Sequence, residues 1–276
     1  MRTALLQLTS TDQPAENLDT VRAMIAEAAA KGAGFVLTPE VTNCLSASGT
    51  HQEKTLRPES EDRVLAGLRR AAKDHGIWLL IGSLALKSED GDGRFANRSI
   101  LVDPQGGITA RYDKIHMFDV QVSETETYRE SARYRPGEQA VLARTSFGTI
   151  GMTICYDVRF PQLYSDLARA GASILTVPSA FSPATGAAHW EPLLRARAIE
   201  TGCYVLAPAQ TGTHPASHGR QRTTYGRSLA IDPWGKVLID AGTDPGIHIL
   251  DLDGTSVTEA RGKVPSLSHI RPYNGP

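Results

Sequence analysis

With 276 residues and 41% hydrophobic side chains, the chain is long enough to bury a substantial core. Its 29 Lys and Arg against 30 Asp and Glu leave a net charge of −1, which gives no electrostatic footprint for nucleic acid or an anionic membrane. Apolar runs are strand-length, far short of the ~20 residues of a membrane span, and three irregularly spaced cysteines, Cys44, Cys155 and Cys203, argue against a disulfide scaffold and for a reducing, cytoplasmic compartment.

The chain opens on a strand, Thr3 to Leu8, interrupted at Gln7 and unlike a signal peptide. Thr11 or Asp12 is placed to cap a helix with Pro14 in its first turn. Leu18, Val21, Ile25 and Ala28 carry that helix to a stop at Gly32. Phe35 to Thr38 reads as a strand, Glu61 to His75 as a helix with Val64, Leu65, Leu68 and Ala72 on one face, and Ile77 to Ile81 as a buried strand. Ser99 to Val102 and Ile108 to Tyr112 flank Asp103-Pro104-Gln105-Gly106-Gly107, a hairpin signal, so part of the sheet is antiparallel.

Phe147 to Ile154 is the next strand, followed by a helix from Phe160 to Ala170 that Gly171 closes. Ser173 to Val177 and Tyr204 to Ala207 read as strands on either side of a helix from His189 to Glu200. Ser228 to Ile231 and Lys236 to Asp240 flank a turn at Asp232-Pro233-Trp234-Gly235, and Gly246 to Leu252 is a last strand. Residues 41–60 and 116–146 are loop-rich and placed to border a pocket. No linker, repeat or low-complexity block divides the chain, so residues 1–276 read as a single α/β domain. The inserted hairpins speak against a closed parallel barrel. Two mixed sheets packed face to face with helices outside fit better, with functional groups at strand C-terminal ends.

Three such strand ends carry chemistry. Cys155 closes Gly151-Met152-Thr153-Ile154-Cys155, which places a thiol, exposed, on a strand-to-helix turn. Glu40 follows Phe35-Val36-Leu37-Thr38-Pro39, and Lys114 follows Ala110-Arg111-Tyr112-Asp113. A free thiol is mostly protonated at neutral pH and needs a base or a positive neighbour. Glu40 suits the base, Lys114 the stabiliser of thiolate and oxyanion, and the backbone N–H of Tyr156 a second oxyanion donor. Each residue alone also has a plain reading: a small buried hydrophobe for Cys155, a surface carboxylate for Glu40 and a solvated charge for Lys114. Cys44 and Cys203 keep that plain reading, and the absence of Cys-x-x-Cys and His-Glu-x-x-His motifs speaks against a dedicated metal site.

Taken together, Thr38-Pro39-Glu40, Tyr112-Asp113-Lys114-Ile115-His116 and Ile154-Cys155-Tyr156-Asp157-Val158-Arg159-Phe160-Pro161 resemble the nitrilase (carbon–nitrogen hydrolase) superfamily. The resemblance runs on through His189-Trp190-Glu191, Arg195 to Glu200 and Asp232 to Gly235, and so spans essentially the whole chain. It implies a Glu–Lys–Cys triad at Glu40, Lys114 and Cys155, an αββα sandwich with mixed sheets, no cofactor, and a homodimer or larger homo-oligomer. It also implies a further active-site glutamate between the Lys and the Cys. Glu130 matches that place, with Glu124, Glu126 and Glu138 as competitors, and its implied role is to orient Lys114 and the substrate amide.

Within the superfamily, His116 to Val120, His189 to Arg197 and Tyr204 to Gln210 resemble the deaminated-glutathione amidase branch. That implies hydrolysis of a linear amide to α-ketoglutarate and Cys-Gly. An ω-amidase acting on α-ketoglutaramate, or another small-amide hydrolase, is the alternative, and a non-catalytic α/β scaffold is the reading from a different class. An α-ketoglutaryl group carries a carboxylate, and Arg159 is either the fork that receives it or the partner of Asp157 or Glu191. His116 and His189 read as supports. Arg227, in Gly226-Arg227-Ser228, departs from the His or Asn common in relatives, and the Val41 to Thr50 loop matches no substrate class. The tail from Val257 to Pro276 is placed to cross a partner subunit or to strap its own sheet.

Overall fold

The computed structural model describes residues 1–88, 92–122, 124 and 126–275. Ser123 and Thr125 of the loop-rich stretch and Pro276 of the tail therefore lie outside the described residues.

The first sheet draws on β1 (Arg2–Gln7), β2 (Phe35–Leu37), β3 (Trp78–Lys87), β4 (Phe95–Val102) and β5 (Ile108–Asp113). A small hairpin of β6 (Asp119–Gln121) and β7 (Thr127–Arg129) follows. The second sheet uses β8 (Val141–Thr145), β9 (Gly148–Met152), β10 (Ile174–Thr176) and β11 (Tyr204–Ala207). After a hairpin of β12 (Thr211–Thr213) and β13 (Thr223–Tyr225), it is completed by β14 (Leu229–Ile231) and β15 (Val237–Asp240). Finally β16 (Gly246–Asp251) returns to the first sheet. The orders are β16-β1-β2-β3-β4-β5 and β15-β14-β11-β10-β9-β8. In each sheet three consecutive strands run parallel and the outer pairings are antiparallel, so both sheets are mixed.

Side-chain alternation assigns the faces. Ala4, Leu6, Val36, Leu79, Ile81, Ile100 and Val102 turn toward α1 (Pro14–Ala30) and α3 (Arg63–His75), meeting Val21, Ile25, Ala28 and Leu68. Leu5, Phe35, Leu37, Leu80, Leu101 and Tyr112 belong instead to the core shared with the second sheet. That core continues into α4 (Pro161–Arg169) and α5 (Pro183–Thr201) through Tyr164, Leu167, Trp190, Leu194 and Ala198. The result is the expected four-layer αββα sandwich. No helix among the described residues is long and apolar enough to cross a membrane.

Several expectations need correction. Neither Thr11 nor Asp12 caps α1: Gln13 holds the N-cap position with no side-chain cap bond. Thr11 receives the Gln13 N–H on its hydroxyl, and Asp12 is committed to Ser217 and His218. α5 begins at Pro183, six residues before the first predicted position, because Ser182 accepts the Thr185 N–H and Pro183 fits the first turn. The loop-rich stretches contain order that their polarity hides: α2 (Gly49–Thr55), the β6–β7 hairpin and β8. In the tail, α6 (Thr255–Lys263) buries Val257 and Ala260, and Arg261 donates to Thr201 and Ala172, so this half straps its own molecule.

Candidate active site

Glu40, Lys114 and Cys155 each follow the C-terminal end of a strand: β2, β5 and β9. The first two come from one sheet and the third from the other, and all three line one cavity of about 340 Å³. Lys114 Nζ donates to Glu40 Oε1 at 2.9 Å and to both oxygens of Glu130 at 2.9 Å. The Cys155 thiol and the Glu40 carboxylate are close enough that each acts on the other's ionisation. Both stretches expected to border a pocket do so, through Val41 and Cys44 to Ala47 on one wall and Phe118 and Thr127 to Glu130 on another.

The backbone is strained at two of these places. Cys155 has φ +49° and Val41, the residue after Glu40, has φ +47°. Left-handed geometry is unfavourable for non-glycine residues, most of all β-branched ones, and survives only where surroundings over-determine it. At Cys155 they do. Its N–H donates to Pro178 O at 3.0 Å, and the Asp157 carboxylate accepts the Ile154 N–H at 2.8 Å. Asp157 in turn receives the Tyr112 hydroxyl at 2.7 Å and the His116 N–H at 3.0 Å, and pairs with His116 Nδ1 at 2.7 Å. The His116 ring stacks on Phe160 with centroids 3.5 Å apart. The strand-to-helix turn is therefore as expected, but the thiol is not exposed. Cys155 is 7% accessible, at the floor of the cavity. A short 3₁₀ turn, Cys155–Arg159, precedes α4. The Tyr156 N–H lies in its first turn, where N–H groups have no partner within the helix.

Burial would raise the Glu40 carboxyl, but the Lys114 ammonium, with hydrogen bonds from Lys114 and Asn97 and the neighbouring Cys155 thiol, holds it below its ordinary value. Burial would likewise lower Lys114, yet Glu130 and Glu40 keep it protonated well above the ordinary ammonium range. Burial, and then the Glu40 charge, push the Cys155 thiol up against the pull of Lys114. The resting charge state is thus a carboxylate, an ammonium and a neutral thiol.

Glu130, rather than Glu124, Glu126 or Glu138, reaches this centre. Its carboxylate also accepts the Phe118 N–H at 2.7 Å, which ties Lys114 to the cavity wall. Asn97 joins the same centre without any motif to mark it. It lies on β4, and its amide N–H groups reach Glu40 at 2.9 Å and Glu130 at 3.3 Å. The Ala180 N–H reaches the other Glu40 oxygen at 2.8 Å. A strand asparagine carries no sequence signal of its own.

Arg159 forms no ion pair with Asp157 or Glu191, nor does it line the cavity. Asp157 is already committed as described, and Glu191 pairs with Arg195 at 3.6 Å. The Arg159 guanidinium lies 5.7 Å from the ring centres of Tyr156 and Phe181, and meets His189 Nδ1 at 3.2 Å. Arg227 also stays out of the cavity. It occupies a left-handed position, φ +55°, that His or Asn also tolerates, and its side chain pairs with Asp240.

The carbon-nitrogen hydrolase family model matches residues 2–262. A deaminated glutathione amidase of Yersinia enterocolitica is 39% identical over 97% of this chain and 92% of its own. Among solved structures, the C. elegans NitFhit protein superposes with a TM-score of 0.88 at 33% identity, covering 98% of this chain and 65% of that longer one. Saccharomyces cerevisiae Nit3, described as a member of branch 10 of the nitrilase superfamily, gives 0.84 at 28% identity, covering 96% and 94%.

Proposed function

The chain belongs to the carbon–nitrogen hydrolase family, and from that premise we propose that it cleaves deaminated glutathione into α-ketoglutarate and Cys-Gly, with Cys155 as nucleophile. It is a hydrolase of linear amides. The observation that carries the residue assignment is the convergence of a buried thiol, a carboxylate and a lysine amine from three strand ends in one cavity.

In this reading Glu40 takes the thiol proton as Sγ attacks the amide carbonyl, which couples deprotonation to attack and avoids a free buried thiolate. Lys114 Nζ and the Tyr156 N–H stabilise the oxyanion. When the tetrahedral adduct collapses, Glu40 returns the proton to the departing amine and leaves a thioester on Cys155. Glu40 then deprotonates a water that attacks the thioester, and the proton goes back to the thiol as the acid leaves. Glu130 and Asn97 hold Lys114 and Glu40 in register, and Arg159 braces the Tyr156 and Phe181 rings of the wall. The substrate assignment is supported by the relatives' names. Three unpaired thiols support a reducing, cytoplasmic setting, and exposed apolar side chains near the C-terminus support assembly with further copies of this chain.

Intact-protein mass spectrometry during brief mixing with deaminated glutathione tests the proposal. An α-ketoglutaryl adduct on Cys155, with release of Cys-Gly, is expected. Cys155→Ala should form no adduct and lose turnover on the order of 10⁴-fold or more. Faster turnover of α-ketoglutaramate would assign the chain to the ω-amidase alternative. Wild-type turnover of both amides by Cys155→Ala would reject the nucleophile.

A further inference from the structure

The cavity has a second chemical character besides its nucleophile. Among the described residues its two lining carboxylates, Glu40 and Glu130, are both committed to Lys114, while four arginines also line it: Arg129, Arg133, Arg220 and Arg222. Among the described residues the lining thus carries five cationic side chains against two carboxylates, with the Glu126 carboxylate standing behind it at the Tyr128 hydroxyl. The four arginines are not equivalent. Arg133 lies against Gly49 and reaches Gln52 at 3.5 Å, and Arg129 ends β7 directly opposite Asp119 across the hairpin. Arg220 and Arg222 form no ion pair among the described residues, and their charges are felt at Tyr128, with Arg222 also felt at Tyr134 and His214.

The segment carrying them, the connection from β12 to β13, is anchored. Asp12, buried beneath it, accepts the Ser217 N–H at 2.8 Å, the Ser217 hydroxyl at 2.9 Å and the His218 N–H at 3.3 Å. The His214 N–H donates to Arg222 O at 2.8 Å, and the His214 ring bridges Ser10 O and the Thr224 hydroxyl at 2.9 and 2.7 Å. Two guanidinium groups with no ion-pair partner among the described residues, carried on a backbone fixed at several points, are placed to receive an anion at the cavity.

We propose that Arg220 and Arg222 are specificity-determining residues that hold a carboxylate on the amine half of the substrate, and so select amides whose departing amine is anionic. This rests on the proposed function. The acyl half stays bonded to Cys155 at the buried floor, whereas the amine half must leave through the mouth. Arg220 is exposed and Arg222 half-buried, which places them at that mouth. A planar guanidinium pairs with a carboxylate in two parallel hydrogen bonds. Long-range attraction to the same charge also raises the encounter rate.

The test compares kcat/KM for α-ketoglutaryl-Cys-Gly with that for its C-terminal carboxamide, two compounds that share every atom of the acyl group. Wild type should favour the carboxylate by about tenfold or more, as expected for charge-assisted hydrogen bonds. In the R220Q/R222Q double variant that preference should collapse toward unity, while R220K/R222K retains part of it. Melting temperatures establish that the variants are folded. A preference that survives in the double variant overturns the assignment and leaves the proposed function standing. So does an equal loss on α-ketoglutaramate, which would place the arginines on the acyl half. Wild type that cleaves neither compound overturns the proposed function, and the assignment with it.

Discussion

At the scale of single residues, each member of the proposed triad can be picked out in the sequence because each follows a strand in a short, distinctive motif. Asn97 cannot, since nothing in Phe95-Ala96-Asn97-Arg98 distinguishes an inward amide from a surface one. Its role exists only once β4 lies beside β5 and the two carboxylates close on Lys114. Its Nδ2 donates to both carboxylates and so supports the charged form of Glu40. Asn97→Leu keeps the volume and removes those donors. The sign follows directly: hydrogen bonds to a carboxylate lower its pKa, so removing one raises it. Protonated Glu40 cannot accept the thiol proton, so the acid limb of kcat/KM should move to higher pH and kcat should fall about tenfold. A pH–rate profile of the variant checks this, and an acid limb left where wild type has it would make Asn97 a packing residue only.

At the scale of elements, hydrophobic periodicity finds the buried strands, α3 and the β4–β5 hairpin. It misses α2, α6 and β8, which are short or polar and owe their order to what they pack against. It also misses the irregularity in β3 that matters most to the site. The register with β4 shifts between Ile81 and Leu84, and the intervening Gly82-Ser83 grips the turn that presents Glu40. The Gly82 N–H donates to the Thr38 hydroxyl at 3.0 Å, and the Ser83 N–H to Pro39 O at 3.2 Å. Ser83 then receives the Val41 N–H on its hydroxyl at 2.8 Å and the Thr42 N–H on its carbonyl at 2.9 Å. These bonds offset the left-handed Val41. A Cβ on Gly82 would lie 1.9 Å from Thr38 O and 2.5 Å from Pro39 O, both backbone atoms that cannot swing away. Gly82→Ala should therefore destabilise by about 1–3 kcal/mol or more, measured by urea unfolding. Activity should drop further than stability alone explains, since the displaced turn carries Glu40. An unchanged midpoint would show that the turn yields without strain.

At the scale of the whole molecule, the site depends on how the sheets face each other, which no strand motif encodes. Glu40 and Lys114 arrive from one sheet and Cys155 from the other. The join is made at strand ends, where Leu8 bridges to Gln210 and the Gln210 amide reaches Glu40 O at 3.0 Å and the Ser10 hydroxyl at 2.8 Å. The outside of the sandwich poses a separate question. Ile199 on α5 is 54% accessible, Trp234 60% and Val264 54%. They adjoin one another: the Ile199 side chain lies over Gly235, and Lys263 Nζ sits 5.7 Å from the Trp234 ring. Beyond α6 the tail continues with Ile270 and Tyr273 also exposed. Single exposed apolar residues are ordinary, but an adjoining set that includes Trp is where a contact between copies of this chain would form. A second copy related by a twofold axis would bury the same patch on both partners. Sedimentation should then report a particle of at least twice 29.7 kDa, and an Ile199→Asp, Trp234→Asp double variant should dissociate, because each subunit would bring two carboxylates into an apolar contact. A wild-type chain that sediments as a monomer at micromolar concentration would leave this face without a partner copy and return the tail to the role of a strap.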